Sequence, residues 1–157
     1  MKASSISEIK QELQNISPKE ITELCLRLAR FKKENKELLS YLLFEAKDTE
    51  SYIINIKTEI TELFKEVNRT NLYFAKKNLR KILRYINKHI KYISDKQSEA
   101  TLLIHFCVEL KATGINLKKS TQLLNLYTQQ IKKINVAIQT LHEDLQYDMI
   151  KELKAIE

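Results

Sequence analysis

The stretch AKKNLRKILRYINKHIKYI, residues 75–93, decides the fold class of this chain. Its apolar residues recur every three or four positions, which is the spacing that places side chains on one face of an α-helix. At about 100° per residue, the apolar positions fall in an arc roughly 100° wide. The pattern therefore predicts one long helix, ending at about Ile93, whose core face is formed by Leu72, Ala75, Leu79, Ile82, Leu83, Ile86, Ile90 and Ile93.

A second face of the same predicted helix carries only positive charge. It consists of Lys77, Arg80, Lys81, Arg84, Lys88 and Lys91, and we call these six residues the basic face. On the helical wheel, Tyr73 projects from within this face, whereas Phe74, Tyr85 and Tyr92 follow its border away from the core face. Cations beside aromatic rings are suited to contacting phosphates and stacking on bases. The three tyrosines and the basic face are therefore the candidate nucleic-acid-binding residues.

The distribution of charge singles out this segment. The whole chain has a net charge of +7, yet residues 1–67 sum to −1 and residues 95–157 sum to zero. Residues 68–94 hold eight basic side chains and no acidic one. A polyanion site is one of three interpretations of this excess, because a lysine-rich helix exterior is often only a solvated surface. In the two remaining interpretations, the basic face is solvated or is paired with Glu59, Glu62 and Glu66 of the preceding segment.

The composition of the chain favours helices throughout. A length of 157 residues fits one domain, and with 43% apolar residues we expect a folded chain with a hydrophobic core. One glycine and one proline are too few for the turns of a strand-rich protein. We therefore expect a single all-α domain over residues 1–157, an antiparallel bundle of six to eight helices. A short solenoid of stacked helical hairpins is the alternative.

Several local signals predict where helices start and stop. Capping residues of the Ser-x-x-Glu type begin helices, and a glycine follows a helix end. A polar cluster, Lys32 to Asn35, breaks the apolar pattern between two helices, and Asn68 to Asn71 is read as a connection. The predicted starts are Ser5, Ser17 before Pro18, Asp48, Ser94 with Gln97, and Ser120 or Thr121, and the predicted stop is Gly114.

The last segment has a near-heptad apolar pattern. Its positions are Leu124, Tyr127, Ile131, Ile134, Ile138, Leu141 and Leu145. We expect one long helix, kinked near His142, although Thr140 and Glu143 also fit the cap of a separate final helix. The apolar seam is suited to packing within the chain or against a second copy.

Signals for catalysis are weak in this chain. The glycine-rich phosphate loops of nucleotide-binding enzymes are absent from the sequence. Asp144, Asp148 and Glu152 share a helical face, but this pattern is more typical of a solvated acidic surface than of a metal site. We expect no enzyme activity, no cofactor and no metal. No transmembrane segment or signal-peptide core is predicted, so we expect a cytoplasmic protein.

Two resemblances to known families add to this interpretation. The segments ISPKEITELCLRLARF (16–31), NLYFAKKNLRKIL (71–83) and TLHEDLQYD (140–148) resemble a family of small all-helical bacterial proteins of unknown function. That resemblance implies an all-α fold and no activity. Residues 6–31 resemble in part the SAP helix-loop-helix, a DNA-binding module, but the SAP loop glycines are missing. The matching positions are Ile6, Ile9, Lys10 and Leu13 in its first helix and Ile21, Leu24, Arg27 and Leu28 in its second.

These observations leave two expectations about function. The first is a non-enzymatic helical interaction module that binds a protein partner or itself. The second is a nucleic-acid-binding protein that uses the helix at residues 73–92. An apolar surface exposed on the last helix favours the first, and an open basic face with exposed aromatic rings favours the second.

Overall fold

The computed structural model describes residues 2–156 and is all-α, as the sequence predicts. Within that range there are eight α-helices and no strand. A π-helical turn, Tyr41–Glu45, continues the third helix, and a short 3₁₀ turn, Leu117–Lys119, precedes the seventh. The helices are α1 (Ile6–Gln14), α2 (Pro18–Phe31), α3 (Lys33–Ser40), α4 (Thr49–Lys65), α5 (Leu72–Ile93), α6 (Lys96–Ala112), α7 (Thr121–Ile138) and α8 (Glu143–Lys154).

The chain divides into two compact units, one up to Ala46 and one from Lys47 onward. The first unit contains α1 to α3, and the second contains α4 to α8. The single domain expected over residues 1–157 stays a prediction.

The first unit is built on well-capped helices. Ser5 and Ser17 each accept a hydrogen bond from a backbone N–H three residues on, and Glu8 and Glu20 each accept one from the backbone N–H of the capping residue. Both capping boxes predicted from the sequence are therefore confirmed. No residue of α1, α2 or α3 is buried, and the apolar side chains of Ile6, Leu28 and Phe31 are largely exposed.

The helices of the second unit alternate in direction. The Tyr52 hydroxyl lies 2.6 Å from His89 Nδ1, and near the opposite ends the Asn68 N–H donates to Asn78 Oδ1, so α4 and α5 are antiparallel. His105 Nε2 lies 3.1 Å from the Lys57 carbonyl, and Thr61 donates to Glu109. The two residues of each pair are 48 positions apart in the sequence, so moving along α4 moves the same way along α6 and the two helices are parallel.

Helix α6 lies at the centre of this bundle and packs against α4, α5, α7 and α8. Its buried apolar side chains cover most of its circumference, as expected for a helix with neighbours on several sides. The sequence pattern identified Leu103, Phe106, Cys107 and Leu110 as inward-facing but missed Leu102 and Ile104, which are also buried. Because α6 has neighbours on several sides, its apolar residues do not keep to one narrow face and their period is weak.

The junction between α5 and α6 differs from the prediction. Ser94 was expected to cap α6, but it ends α5 in the left-handed conformation, with φ 55°, and its N–H donates to the Ile90 carbonyl. Asp95 caps α6 instead, accepting from the Ser98 N–H at 2.8 Å and the Ser98 hydroxyl at 2.6 Å. Asp95, the residue after Ser94, accepts from the first turn of α6 in its place. Ser94 instead provides the left-handed residue at which the chain turns from α5 into α6.

The expected single long helix at the end of the chain is wrong. Helix α7 ends at Ile138, the Thr140 hydroxyl donates to the Ala137 carbonyl, and α8 starts at Glu143. The chain reverses there, because the Gln146 amide donates to the Leu141 carbonyl and the Tyr127 hydroxyl donates to the Ile156 carbonyl. The reversal lets α7 and α8 bury apolar side chains in one core, which a straight helix could not do. Of the predicted seam, Tyr127, Ile134 and Ile138 are buried, whereas Leu124 and Leu145 are exposed. The core also includes Leu123 and Leu126 of α7 and Met149 and Leu153 of α8.

Candidate nucleic-acid interface

Helix α5 starts at an N-terminal cap in which one side chain accepts two backbone hydrogen bonds. Asn71 accepts hydrogen bonds from the N–H groups of Tyr73, at 3.0 Å, and Phe74, at 3.3 Å. Asn68 in turn accepts from the Asn71 N–H at 2.7 Å. Because Ala75, Leu79, Ile82, Leu83 and Ile86 are buried as predicted, the rotation of α5 is fixed and the basic face points away from the core.

Five of the six cations of the basic face are exposed without a partner in their own unit. Lys77, Arg80, Lys81, Arg84 and Lys91 make no hydrogen bond or ion pair with the described residues of the second unit. The sixth, Lys88, is half-buried and its Nζ lies 5.9 Å from the centre of the Tyr85 ring.

The three carboxylates expected to pair with the basic face bind other residues or are exposed. Glu59 accepts a hydrogen bond from the Tyr85 hydroxyl, and Glu62 pairs with Lys65 at 2.6 Å. Glu66 is exposed at the end of α4. The five exposed cations of the basic face therefore form no ion pair with these three carboxylates.

Two of the three residues of the predicted aromatic border, Tyr85 and Tyr92, do not lie open beside the cations. Tyr92 is only 9% exposed, and its ring packs edge-on against His89. Tyr85 packs against the same histidine at 4.4 Å, and burial together with the hydrogen bond to Glu59 raises the pKa of its hydroxyl. Tyr85 thus faces α4 and Tyr92 is buried, whereas Phe74 is 50% exposed. A helical wheel cannot show this difference because it does not say where the neighbouring helix packs.

Of the three candidate tyrosines, Tyr73 has a solvent-exposed side chain, at 64%. Its edge meets the ring of Phe74, and Lys76 Nζ lies 5.6 Å from its centre. The arrangement brings Tyr73 together with Lys77, Arg80 and Arg84, and leaves Tyr85 and Tyr92 on another side. A role in binding for the nine candidate residues stays a prediction.

The structure adds a groove that the sequence did not predict. One part, about 590 Å³, is lined by Tyr73, Lys76, Lys77, Arg80, Leu83, Arg84 and Asn87. A second part, about 370 Å³, lies between α5 and α7 and shares Arg80, Leu83 and Asn87 with the first. Lys133 of α7 adds a cation, and among residues 2–156 no carboxylate lines either part.

The α7 side of this groove was missed by sequence reasoning. Its amide side chains are Gln122, Asn125 and Gln129, and the Lys76 ammonium donates to Gln122 across the groove. The spacing of three and four between these amides is a signal of a shared helical face. It gives no indication, however, that this face adjoins α5, because that depends on how the bundle assembles.

The acidic residues of α8 do not come together as a metal centre. The Asp144 carboxylate lies 3.6 Å from His142 Nδ1, and both side chains are exposed. In residues 2–156, no three side chains of the histidine, cysteine or carboxylate type are grouped closely enough to hold a metal ion. Nor does this range contain a helix with the length and apolar character needed to cross a bilayer.

Comparisons with models of known protein families, with curated proteins and with solved structures found no match to this chain. The resemblances to small helical bacterial proteins and to the SAP module therefore stay predictions.

Proposed function

We propose that this protein binds nucleic acid through the basic face of α5. The observation that carries the proposal is the exposure of five cations that have no acidic partner among the described residues of their own unit. They lie next to a groove that no described carboxylate lines. Unpaired cations held on a rigid helix gain free energy when they displace counterions from a phosphate backbone. Binding without catalysis and a cytoplasmic location belong to the same proposal.

The number of cations sets the expected salt dependence. Each phosphate contacted contributes a slope of about 0.9 on duplex DNA, or about 0.7 on a single strand, to the fall of log affinity with log salt. Five contacts give an affinity that falls steeply between about 50 and 200 mM salt. No base-reading motif accompanies the helix, so we expect little dependence on base sequence.

The test is fluorescence anisotropy with labelled mixed-sequence RNA and DNA. The triple variant Lys77→Glu, Arg80→Glu and Arg84→Glu reverses three exposed charges without touching the core. We expect it to lose binding and to reduce the salt slope by about two, because three contacts are removed. Circular dichroism checks that α5 is still folded.

A matched control distinguishes the effect of charge on the basic face from the effect of the net charge of the protein. Lys111→Glu, Lys151→Glu and Lys154→Glu lower the net charge by the same amount, from +7 to +1, at exposed positions on α6 and α8. The control is expected to keep the wild-type salt slope. Equal losses in both triple variants, or no binding of either nucleic acid by the wild type at low salt, would refute the proposal.

Self-association through the first unit is a second candidate function, favoured by its apolar surface. Ile6, Leu28 and Phe31 are exposed on short amphipathic helices. Residues 2–46 hold eight basic and seven acidic side chains, so two copies do not repel each other strongly. An exposed apolar stripe with balanced charge is suited to packing against a second copy of itself.

Light scattering across a range of protein concentrations tests this second candidate. Leu28→Glu with Phe31→Glu is expected to turn a dimer into a monomer, whereas Gln11→Glu, an exposed polar position on α1, leaves it unchanged. A wild-type protein that stays monomeric at the highest concentration would rule out self-association.

A further inference from the structure

The groove between α5 and α7, which we call the α5–α7 groove, combines two chemically different walls. The α5 wall carries cations, and the α7 wall carries the amides of Gln122, Asn125 and Gln129, with Leu83 and Leu126 between them. Cations recognise phosphate, but an amide side chain offers both a donor and an acceptor. The donor and the acceptor of an amide can bind the edges of bases and ribose hydroxyls, because these groups also offer both a donor and an acceptor.

The shape of the groove excludes paired bases. In a duplex, the base edges lie inside the major and minor grooves and are reached by a protruding helix or strand. Here the amides line a concave surface, where only bases turned outward from an unpaired strand can meet them. From Tyr73 to Asn87, α5 spans about 21 Å at 1.5 Å per residue, which is roughly six stacked nucleotides at 3.4 Å each.

Gln130 places an unpaired, buried hydrogen-bond acceptor in the α7 wall of the α5–α7 groove. Its side chain is 3% exposed and lines the α5–α7 groove, and its Nε2 donates to the Leu126 carbonyl at 3.0 Å. Its Oε1 receives no hydrogen bond from a described residue. A buried acceptor without a donor is destabilising. The phosphodiester group of a nucleic acid is ionised and offers no donor, whereas a base amine or a ribose hydroxyl does.

Tyr73 provides a stacking surface at one end of the groove. Its ring is the most exposed of the tyrosines predicted for binding, and it lies next to Lys76 and Lys77. Bases stack on such rings in many proteins that bind single strands without sequence preference.

We infer that the α5–α7 groove binds a single-stranded nucleic acid, with phosphates on Lys77, Arg80 and Arg84 and with bases and riboses against Tyr73 and the α7 amides. This inference rests on the proposed function and specifies its ligand. It predicts a preference for an unpaired strand over a duplex of the same sequence. It also predicts that uncharged groove residues contribute to affinity.

The experiment compares a labelled 12-nucleotide single strand, as RNA and as DNA, with its duplex in anisotropy titrations over a series of salt concentrations, and affinities are compared at the same salt concentration. We expect the wild type to bind the single strand at least about tenfold more tightly. The double variant Asn125→Ala and Gln129→Ala, and separately Tyr73→Ala, are each expected to lose about tenfold on the single strand, because stacking and amide contacts of this kind have that size. The salt slope stays unchanged, since no charge is removed.

Gln139→Ala is the matched amide control. It is an exposed residue at the end of α7, about 21 Å along the helix from Asn125 at 1.5 Å per residue. It is expected to bind as the wild type does. Linear polyphosphate, which lacks bases, is expected to bind more weakly than the single strand and to have the same inhibition constant for the wild type and the amide variant.

The outcomes separate this inference from the proposed function. Equal affinity for single strand and duplex, with no effect of the amide or Tyr73 substitutions, overturns the inference while binding through the basic face stands. Loss of binding only in the charge-reversal variant overturns the inference in the same way. Absence of binding to every nucleic acid removes both.

Discussion

At the scale of single residues, helix ends are fixed by short side chains that accept backbone hydrogen bonds. Asp48, Asn71, Asp95 and Ser120 each accept from an N–H in the first turn of the following helix. Asp95 has the densest set, because it binds both the backbone and the hydroxyl of Ser98, which is itself buried. The cap therefore fixes the start of the central helix α6.

Asp95→Ala is expected to lower the free energy of unfolding by about 1 kcal/mol at neutral pH, the usual size of a lost N-cap. Burial raises the pKa of Asp95, but its hydrogen bonds from Ser98 and nearby backbone N–H groups outweigh burial and lower the pKa overall. A carboxyl whose pKa is lower in the folded state stabilises above its unfolded pKa of about 3.9, and this stabilisation is lost as pH falls through the folded value. Urea unfolding from pH 7 to pH 2 measures the difference.

Asp148→Ala is the control for this pH series, since Asp148 is exposed on α8 and caps no helix. It is expected to change stability little at any pH. A difference between Asp95→Ala and the wild type that persists undiminished at pH 2 would contradict a role for the ionised carboxylate.

At the scale of elements, the tight reversal between α5 and α6 places two long helices side by side. The chain needs only Ser94 and Asp95 between them. Ser94 reaches this geometry in the left-handed region, which is unfavourable for a residue with a Cβ by roughly 1–2 kcal/mol. Gly114, after α6, takes the same conformation with φ 72° and without that strain.

Ser94→Gly is therefore expected to stabilise the protein by roughly 0.5–1 kcal/mol, because relief of the left-handed strain exceeds the added entropy of the unfolded chain. Thermal unfolding followed by circular dichroism measures the effect. Ser51→Gly, in the first turn of α4, is the control with the opposite expected sign, since glycine is unfavourable at helical φ and ψ. A Ser94→Gly variant as destabilised as Ser51→Gly would show that Ser94 is not strained.

At the scale of the whole molecule, the hydrophobic core belongs to the second unit. Its buried cluster extends from Ile56 to Ile156 and includes residues of all five helices of that unit. The cluster contains no described residue before Ile56, and α1 and α2 have no buried side chain. Stability from apolar burial is therefore concentrated in residues 47–156.

We expect a fragment of residues 47–157 to fold alone and to unfold cooperatively, because it retains the whole core cluster. In that fragment, Leu103→Ala is expected to cost about 2–5 kcal/mol, the usual range for a fully buried leucine. Exposed Leu124→Ala, on α7, is the control and should cost much less. A fragment without a cooperative transition would support the single domain expected from the sequence.

The sequence by itself determined the helical class, most helix boundaries and the basic face of α5. These depend on local physics: apolar spacing, capping side chains and the near absence of glycine and proline act within one turn of the chain. The Ser5, Ser17 and Asp48 caps, the connection at residues 68–71 and the stop at Gly114 were predicted for this reason, and the structure confirms them.

Only the tertiary structure decided which surfaces are open. It turned Tyr85 toward α4, buried Tyr92, placed the amides of α7 beside the cations of α5, and split the last apolar segment into α7 and α8. A helical periodicity identifies a face but not the neighbour that covers its edges. Those neighbours are set by contacts between residues far apart in the chain, and the bundle buries the most apolar surface when α6 is enclosed on several sides.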